Sequence, residues 1–183
     1  YQGHLDIDVN ETGYDQAQKI SKRISTKEID EIYSSDLKRA RNTAELIAAP
    51  HNQKVRSREG LREINVGDWE GLNYDDLNKQ YPELSRKWFD NPASVRLPGV
   101  EMLSEFQTRV VDSFEEIIDS SKGEKIVVTA HGGTIRVWLA HLLKVPLNKN
   151  RQIEIHNTSL SIVKVFDGYP VIKLINSISH LES

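Results

Sequence analysis

The stretch 125-KIVVTAHGGTIRVWLAHLL-143 decides the fold. Ile126 to Ala130 is an almost unbroken apolar run, the pattern of a strand covered on both faces. From Thr134 onward apolar residues return with helical spacing, as Val137, Trp138, Ala140 and Leu142, until Pro146 stops them. His131, Gly132 and Gly133 stand at the junction. A strand that gives way to a helix through two residues without bulk predicts a layered α/β domain. In such domains ligands settle in the crevice beyond the carboxyl ends of the strands. The first turn of the helix leaves backbone N–H groups unpaired, and Thr134 adds a hydroxyl, so the junction suits a phosphate. His131 is suited to give a proton, to attack phosphorus or to clamp a phosphoryl oxygen. Taken alone, such a histidine is more often a cap or a filler.

The rest of the chain repeats the alternation. Tyr14, Ala17, Ile20 and Ile24 predict a helix, with Thr12 and Asp15 as its cap. Ile29 to Ser34 predicts a strand, and Leu37, Ala40, Ala44, Ile47 and Ala48 a second helix ending near Pro50. Lys54 to Arg58 reads as a short strand, Gly60 to Gly71 as a charged loop, and Asn73 to Gln80 and Glu83 to Asp90 as two modest helices. The connector 91-NPASVRLPGV-100 leads into the longest helix, Glu101 to Ser121, with Leu103, Phe106, Val110, Phe114, Ile117 and Ile118 on one side. Two late strands, Leu160 to Val165 and Val171 to Ile175, flank a turn at Asp167-Gly168. The expectation is one domain over residues 1–183, a three-layer α/β sandwich with a mostly parallel mixed sheet flanked by helices.

Composition narrows the chemistry. The 183 residues include no cysteine, which removes disulfides, thiolate metal sites and a cysteine nucleophile. A net charge of -3 gives no support to a broad nucleic-acid surface. No stretch is apolar for long enough to span a bilayer, and the first residues have no signal-peptide pattern. A soluble, cytoplasmic protein with neither nucleic acid nor membrane as partner is the expectation; a homodimer is left open.

Two further segments bear on phosphate. In 33-YSSDLKRARNTAELI-47 a strand ends at Ser34-Ser35-Asp36, and Arg39 falls near the start of the next helix. A cation there opposes the helix dipole unless an anion lies beside it, and a guanidinium fork matches phosphoryl oxygens. Lys38 reads as a solvated neighbour. In 61-LREINVGDWEGL-72, Glu63 is the candidate acid, since a carboxyl group beside a bound phosphate has its pKa raised towards the range that protonates a leaving alcohol. Trp69 is placed to pin the loop, and Asp68 and Glu70 read as surface acids.

Together with 2-QGHLDIDVNETGYDQA-17, 97-LPGVEMLSEFQTRV-110 and 130-AHGGTIR-136, these segments resemble the histidine phosphatase family in its phosphoglycerate-mutase-like branch, over essentially the whole chain. The resemblance implies a phosphatase that hydrolyses a small phosphorylated metabolite through a phosphohistidine, with no cofactor and no metal. It carries phosphate gripping to Arg39, acid/base catalysis to Glu63 and the second-histidine role to His131. Gln2 and Gly3 border the substrate, Gly132 supplies a backbone contact, and Asn157 supports the site. The interval from Glu63 to His131 is compact, which favours hydrolysis over the mutase reaction. Within the family the LREINVGDWEGL and HGGTIR stretches are most similar to phosphatases acting on α-ribazole phosphate in cobalamin biosynthesis.

The resemblance also has gaps. The family's nucleophile lies in an Arg-His-Gly segment on its first strand, and no Arg-His-Gly occurs in these residues. The reading therefore expects that strand ahead of Tyr1; His4, with no arginine before it, is not its substitute. Without such a histidine the chain would be a noncatalytic phospholigand-binding module. Asp8 stands where the family often has proline and Val100 where it has glycine, and Ser94, Val95 and Arg96 could face the same mouth. These departures leave the alcohol half of the substrate open.

Overall fold

The computed structural model describes residues 1–96 and 99–182; Leu97 and Pro98 of the LPGVE segment, and Ser183, lie outside the described residues. The elements run α1 (Glu11–Ile24), β1 (Glu31–Ser34), α2 (Lys38–Ala48), β2 (Val55–Ser57), α3 (Tyr74–Gln80), α4 (Pro82–Asp90), α5 (Leu103–Ser120), β3 (Ile126–Thr129), α6 (Gly132–Leu142), β4 (Leu160–Phe166) and β5 (Tyr169–Ser177). Each was anticipated within a few residues. The cap of α1 was not: Asn10, in extended conformation, accepts a hydrogen bond from the Gly13 N–H at 2.9 Å. Thr12 already lies inside the helix, where its backbone cannot take the extended shape a cap requires.

The parallel sheet has the order β2-β1-β3, with Ile32 of β1 opposite both Val55 and Val127. Successive side chains point to opposite faces, and this sorts the core into layers. Ile32 and Val127 turn towards Ile20, Ile24, Ala44 and Ile47 of α1 and α2. Tyr33, Ile126 and Val128 turn towards Phe106, Val110, Phe114 and Ile117 of α5 and Val137 of α6. Helices therefore flank a small parallel sheet, as the alternating sequence implied.

The mixed sheet is divided. β4 and β5 form a separate antiparallel ribbon turning at Asp167 and Gly168, both with positive φ, as a tight primed hairpin turn requires. Among the described residues no strand is hydrogen-bonded to the edge of β3 away from β1, and β4 pairs only with β5. Between β3 and β4 lies a cleft of about 1500 Å3. β3 is in consequence only half-buried along its length, less covered than its composition predicted. Val66, Trp69, Leu77 and Trp88 form a third apolar cluster, and buried Trp69 pins the charged loop as expected.

The face shared by α5 and α6 is set by Phe114, whose ring stacks on Trp138 with centroids 4.0 Å apart. Phe114→Ala should destabilise the fold by about 3–5 kcal/mol in chemical denaturation. A loss below about 1 kcal/mol would contradict the packing of that face.

Candidate active site

Gln2, Gly3, Arg39, Glu63, His131, Gly132 and Asn157 all line the one cleft. They arrive from five parts of the chain: the amino-terminal loop, the start of α2, the 61–72 loop, the β3–α6 junction and the turn before β4.

His131 is the N-cap residue of α6 and is buried. Its Nδ1 accepts from Arg39 Nε at 3.2 Å, and its Nε2 lies 2.9 Å from Ser35 Oγ. With Nδ1 as acceptor, the ring is neutral and Nε2–H donates to the serine. Burial, reinforced by the Arg39 charge, lowers the pKa of His131 from 6.5 to about 3. The free site thus holds an imidazole rather than an imidazolium.

Arg39 is more committed than a free phosphate grip. Besides His131, it donates to the carbonyl oxygens of Leu5 at 2.7 Å and Gly3 at 2.8 Å. Three of its five N–H groups are used and two remain. The anion needed at the start of α2 comes from the chain itself. Asp6 accepts from the Lys38 N–H at 2.7 Å, capping a helix whose own N-cap residue is Leu37. Lys38 is exposed, as read, with its ammonium 3.5 Å from Asp6.

Glu63 occupies the N-terminus of α6. Its Oε2 accepts from Gly133 N at 2.9 Å and its Oε1 from Ile64 N at 2.9 Å. Any side chain at position 133 would collide with it, since a Cβ there would lie 2.1 Å from Oε1. The anion seat foreseen for phosphate is thus taken, in the free protein, by the carboxylate foreseen as its acid.

What holds Glu63 leaves no mark in the local pattern of residues. Arg109 of α5 forks onto Glu101 with two 2.8 Å bonds and donates to the carbonyls of Gly60, Arg62 and Glu63. Thr134 Oγ1 binds the Arg62 carbonyl at 3.0 Å from the other side. Arg62 forks onto Asp36, which ties the loop to the end of β1 and holds the Asp36 carboxyl below its usual pKa. Arg109 falls beside Phe106 and Val110 in a helix whose apolar stripe dominates the pattern, and periodicity cannot distinguish such a residue from a surface cation.

Smaller corrections concern the borders. Glu70 is not a free surface acid, because its Oε1 accepts from the His4 N–H at 2.6 Å and lies where a side chain at position 3 would go. Gly3, at φ +48 and buried, is the residue that permits this contact. Asp68 is exposed as expected. The His4 ring binds the Glu63 carbonyl at 2.8 Å, so it buttresses the loop. Asn157 is exposed on the wall opposite β3. Among the described residues no group of three His, Asp or Glu side chains is placed to hold a metal ion, and no helix is long and apolar enough to cross a membrane.

The lowered pKa makes stability depend on pH in one direction. The unfolded chain takes up the His131 proton near pH 6.5 and the folded chain only near 3, so the contribution of the neutral ring is complete above 6.5 and is lost as pH falls through that interval. In an NMR titration of the phosphate-free protein, His131 should stay neutral well below pH 6.5, and inorganic phosphate should move its titration upward. A midpoint near 6.5 without phosphate would contradict the burial and the Arg39 contact.

Comparison with known proteins gives the family. The chain is 39% identical over 186 residues to phosphoglycerate mutase-like protein 4 of Arabidopsis thaliana, covering 99% of this chain and 79% of that one. It is 34% identical over 181 residues to phosphoserine phosphatase 1 of Hydrogenobacter thermophilus, covering 99% and 86%. A putative alpha-ribazole-5'-P phosphatase from Escherichia coli superposes with a TM-score of 0.89 over 97% of this chain and 87% of its own; at 22% identity it shares the fold. The model of the histidine phosphatase superfamily (branch 1) matches residues 1–178, and the chain belongs to that superfamily.

Proposed function

We propose that the protein is a phosphomonoesterase that hydrolyses a small phosphorylated metabolite through a phosphohistidine. The observation that carries this reading is the convergence of Arg39, His131 and Glu63 on one cleft whose walls, β3 and β4, each present a strand edge without a partner among the described residues. A strand lying between them and running parallel to β3 would end at the level of His131. In this proposal that strand precedes Tyr1 and bears the Arg-His-Gly histidine.

The chemistry follows from the positions. The nucleophilic imidazole forms an N–P bond as the ester P–O bond breaks, and Glu63 hands its proton to the leaving alcohol oxygen. Glu63, now a carboxylate, then takes a proton from water; the water oxygen bonds to phosphorus, the N–P bond breaks and inorganic phosphate leaves. The two spare N–H groups of Arg39, the ring of His131 and the N–H groups at the start of α6 face the equatorial oxygens, where charge accumulates. Phosphate entry displaces Glu63 from those N–H groups and frees the carboxyl group to meet the leaving oxygen.

A mutase shares every first step and differs in keeping water out while the phosphoenzyme persists. The similarity to a phosphoglycerate mutase-like protein supports that second reading, and the short interval between Glu63 and His131 supports hydrolysis. Phosphoserine, 3-phosphoglycerate and α-ribazole 5'-phosphate are the substrates to compare first.

Full-length protein denatured in alkaline detergent after brief exposure to labelled substrate should retain label that is stable to base and released by acid. Protein that binds phosphate yet never acquires such label would be a phospholigand-binding module. Glu63→Gln should slow alkyl phosphates at least tenfold more than aryl phosphates with good leaving groups, because only the former need strong protonation. Equal slowing of both would remove Glu63 from the acid role.

A further inference from the structure

The Arg109 fork is spent entirely on the chain. Its Nε and one Nη2 N–H reach Glu101 at 2.8 Å each, and the second Nη2 N–H reaches the Glu63 carbonyl at 3.3 Å. Nη1 donates to the carbonyls of Gly60 at 2.9 Å and Arg62 at 3.2 Å. A guanidinium has five N–H groups, and five acceptors take them. Arg109 has nothing left for a ligand, in contrast to Arg39 with its two spare N–H groups. Glu101 is committed in the same way: its Oε2 also accepts from the Asn65 N–H at 3.2 Å, and its own N–H donates to the Asn65 carbonyl at 2.9 Å. One ion pair thereby fastens the main chain at Gly60, Arg62, Glu63 and Asn65.

Space is arranged to the same end. A Cβ added at Gly60 would fall on the hydroxyl of Ser113, one turn beyond Arg109 on the same face of α5, so the loop lies against the helix only because that position is bare. Leu61 is buried with Phe106 and Val110 of α5, and the Phe106 ring centre lies 5.1 Å from the Arg109 guanidinium. The side chain that this platform presents is Glu63, whose carboxylate meets the Ile64 and Gly133 N–H groups. A partly buried ion pair is costly to desolvate, and what a fully satisfied polar network gives in return is a single geometry. Proton donation needs one: the acid must come within hydrogen-bond reach of the leaving oxygen, and a displacement of about 1 Å can cost on the order of 100-fold in rate.

We infer that Arg109, paired with Glu101, is the positioning residue of the acid. By fixing the main chain from residue 60 to 65 it sets where the Glu63 carboxyl group stands, and with it the range of leaving alcohols that the enzyme can expel, without touching substrate. The inference deepens the phosphomonoesterase reading and rests on it for the acid role of Glu63. Lysine at position 109 would keep the charge, but its three N–H groups lack the planar fork and cannot serve five acceptors. Some of the loop carbonyls would then go without a donor.

On the full-length protein, Arg109→Lys should slow an alkyl phosphate at least tenfold more than p-nitrophenyl phosphate, through kcat. It should add less than about twofold to the loss already caused by Glu63→Gln, because both act on one proton transfer. Gly60→Ala should show the same preference, and adding Ser113→Gly should restore the alkyl rate by making room for the new methyl group. Hydrogen exchange supplies a readout without turnover: the Ile64 and Gly133 amides should exchange at least tenfold faster in Arg109→Lys, and those of β3 at the wild-type rate. Alkyl and aryl esters slowed alike by Arg109→Lys, while Glu63→Gln still separates them, would make Arg109 a support of the fold alone and leave the phosphatase reading standing. If Glu63→Gln itself does not separate them, the acid role falls; quickened exchange then still assigns the placement of Glu63 to Arg109, and unchanged exchange overturns it. Should Arg109→Lys fail to fold, Gly60→Ala decides, and an alkyl-to-aryl ratio at the wild-type value overturns the inference.

Discussion

Arg39 sends its N–H groups in three directions, to His131 at the β3–α6 junction and to the carbonyls of Gly3 and Leu5 in the amino-terminal loop. The residue itself belongs to α2. One half-buried cation thereby joins three stretches that are remote in sequence, and burial lowers its pKa from the ordinary arginine value. Removing it would leave two carbonyls and a ring nitrogen without donors in a partly dry site, where each loss costs about 1–3 kcal/mol. The guanidinium also fixes the tautomer of His131, because a donor facing Nδ1 obliges the proton to sit on Nε2. Structure and chemistry at this site therefore draw on the same hydrogen bonds.

The opposite wall is built around a negative charge. Glu63 reaches the start of α6, and Gly133 is bare so that it can. Arg109 and Thr134 hold the backbone of the Glu63 loop from two sides, while its carboxylate is held separately by the Ile64 and Gly133 N–H groups. A helix N-terminus favours an anion, and here the chain's own carboxylate supplies it.

Much of this was legible in the sequence because it depends on local pattern. The β3–α6 junction shows as a change of period at two glycines, and α5 as a stripe from Leu103 to Ile118. Arg39 drew notice because a cation at a helix start needs compensation. That the compensation is Asp6, 32 residues earlier, is a tertiary fact with no local trace. Arg109, Ser35 and His4 were missed for the same reason: each acts on a backbone or ring that only the fold brings near. The division of the sheet was also beyond periodicity, since alternation gives the two faces of a strand and says nothing about what lies along its edges.

Those edges bring stability and chemistry together. The free side of β3 presents backbone N–H and C=O groups beside Val127 and Val128, and β4 does the same across the cleft. Such an edge inside a domain is costly, because buried backbone groups without partners lose water and gain nothing in return. Parallel neighbours in a sheet end at the same level, as β1 and β3 do at Ser34 and Thr129. A strand satisfying both edges would therefore deliver its last residues beside His131 and Arg39, whatever those residues were. The position that most needs a strand for stability is also the position from which a nucleophile would reach a phosphate held by these groups.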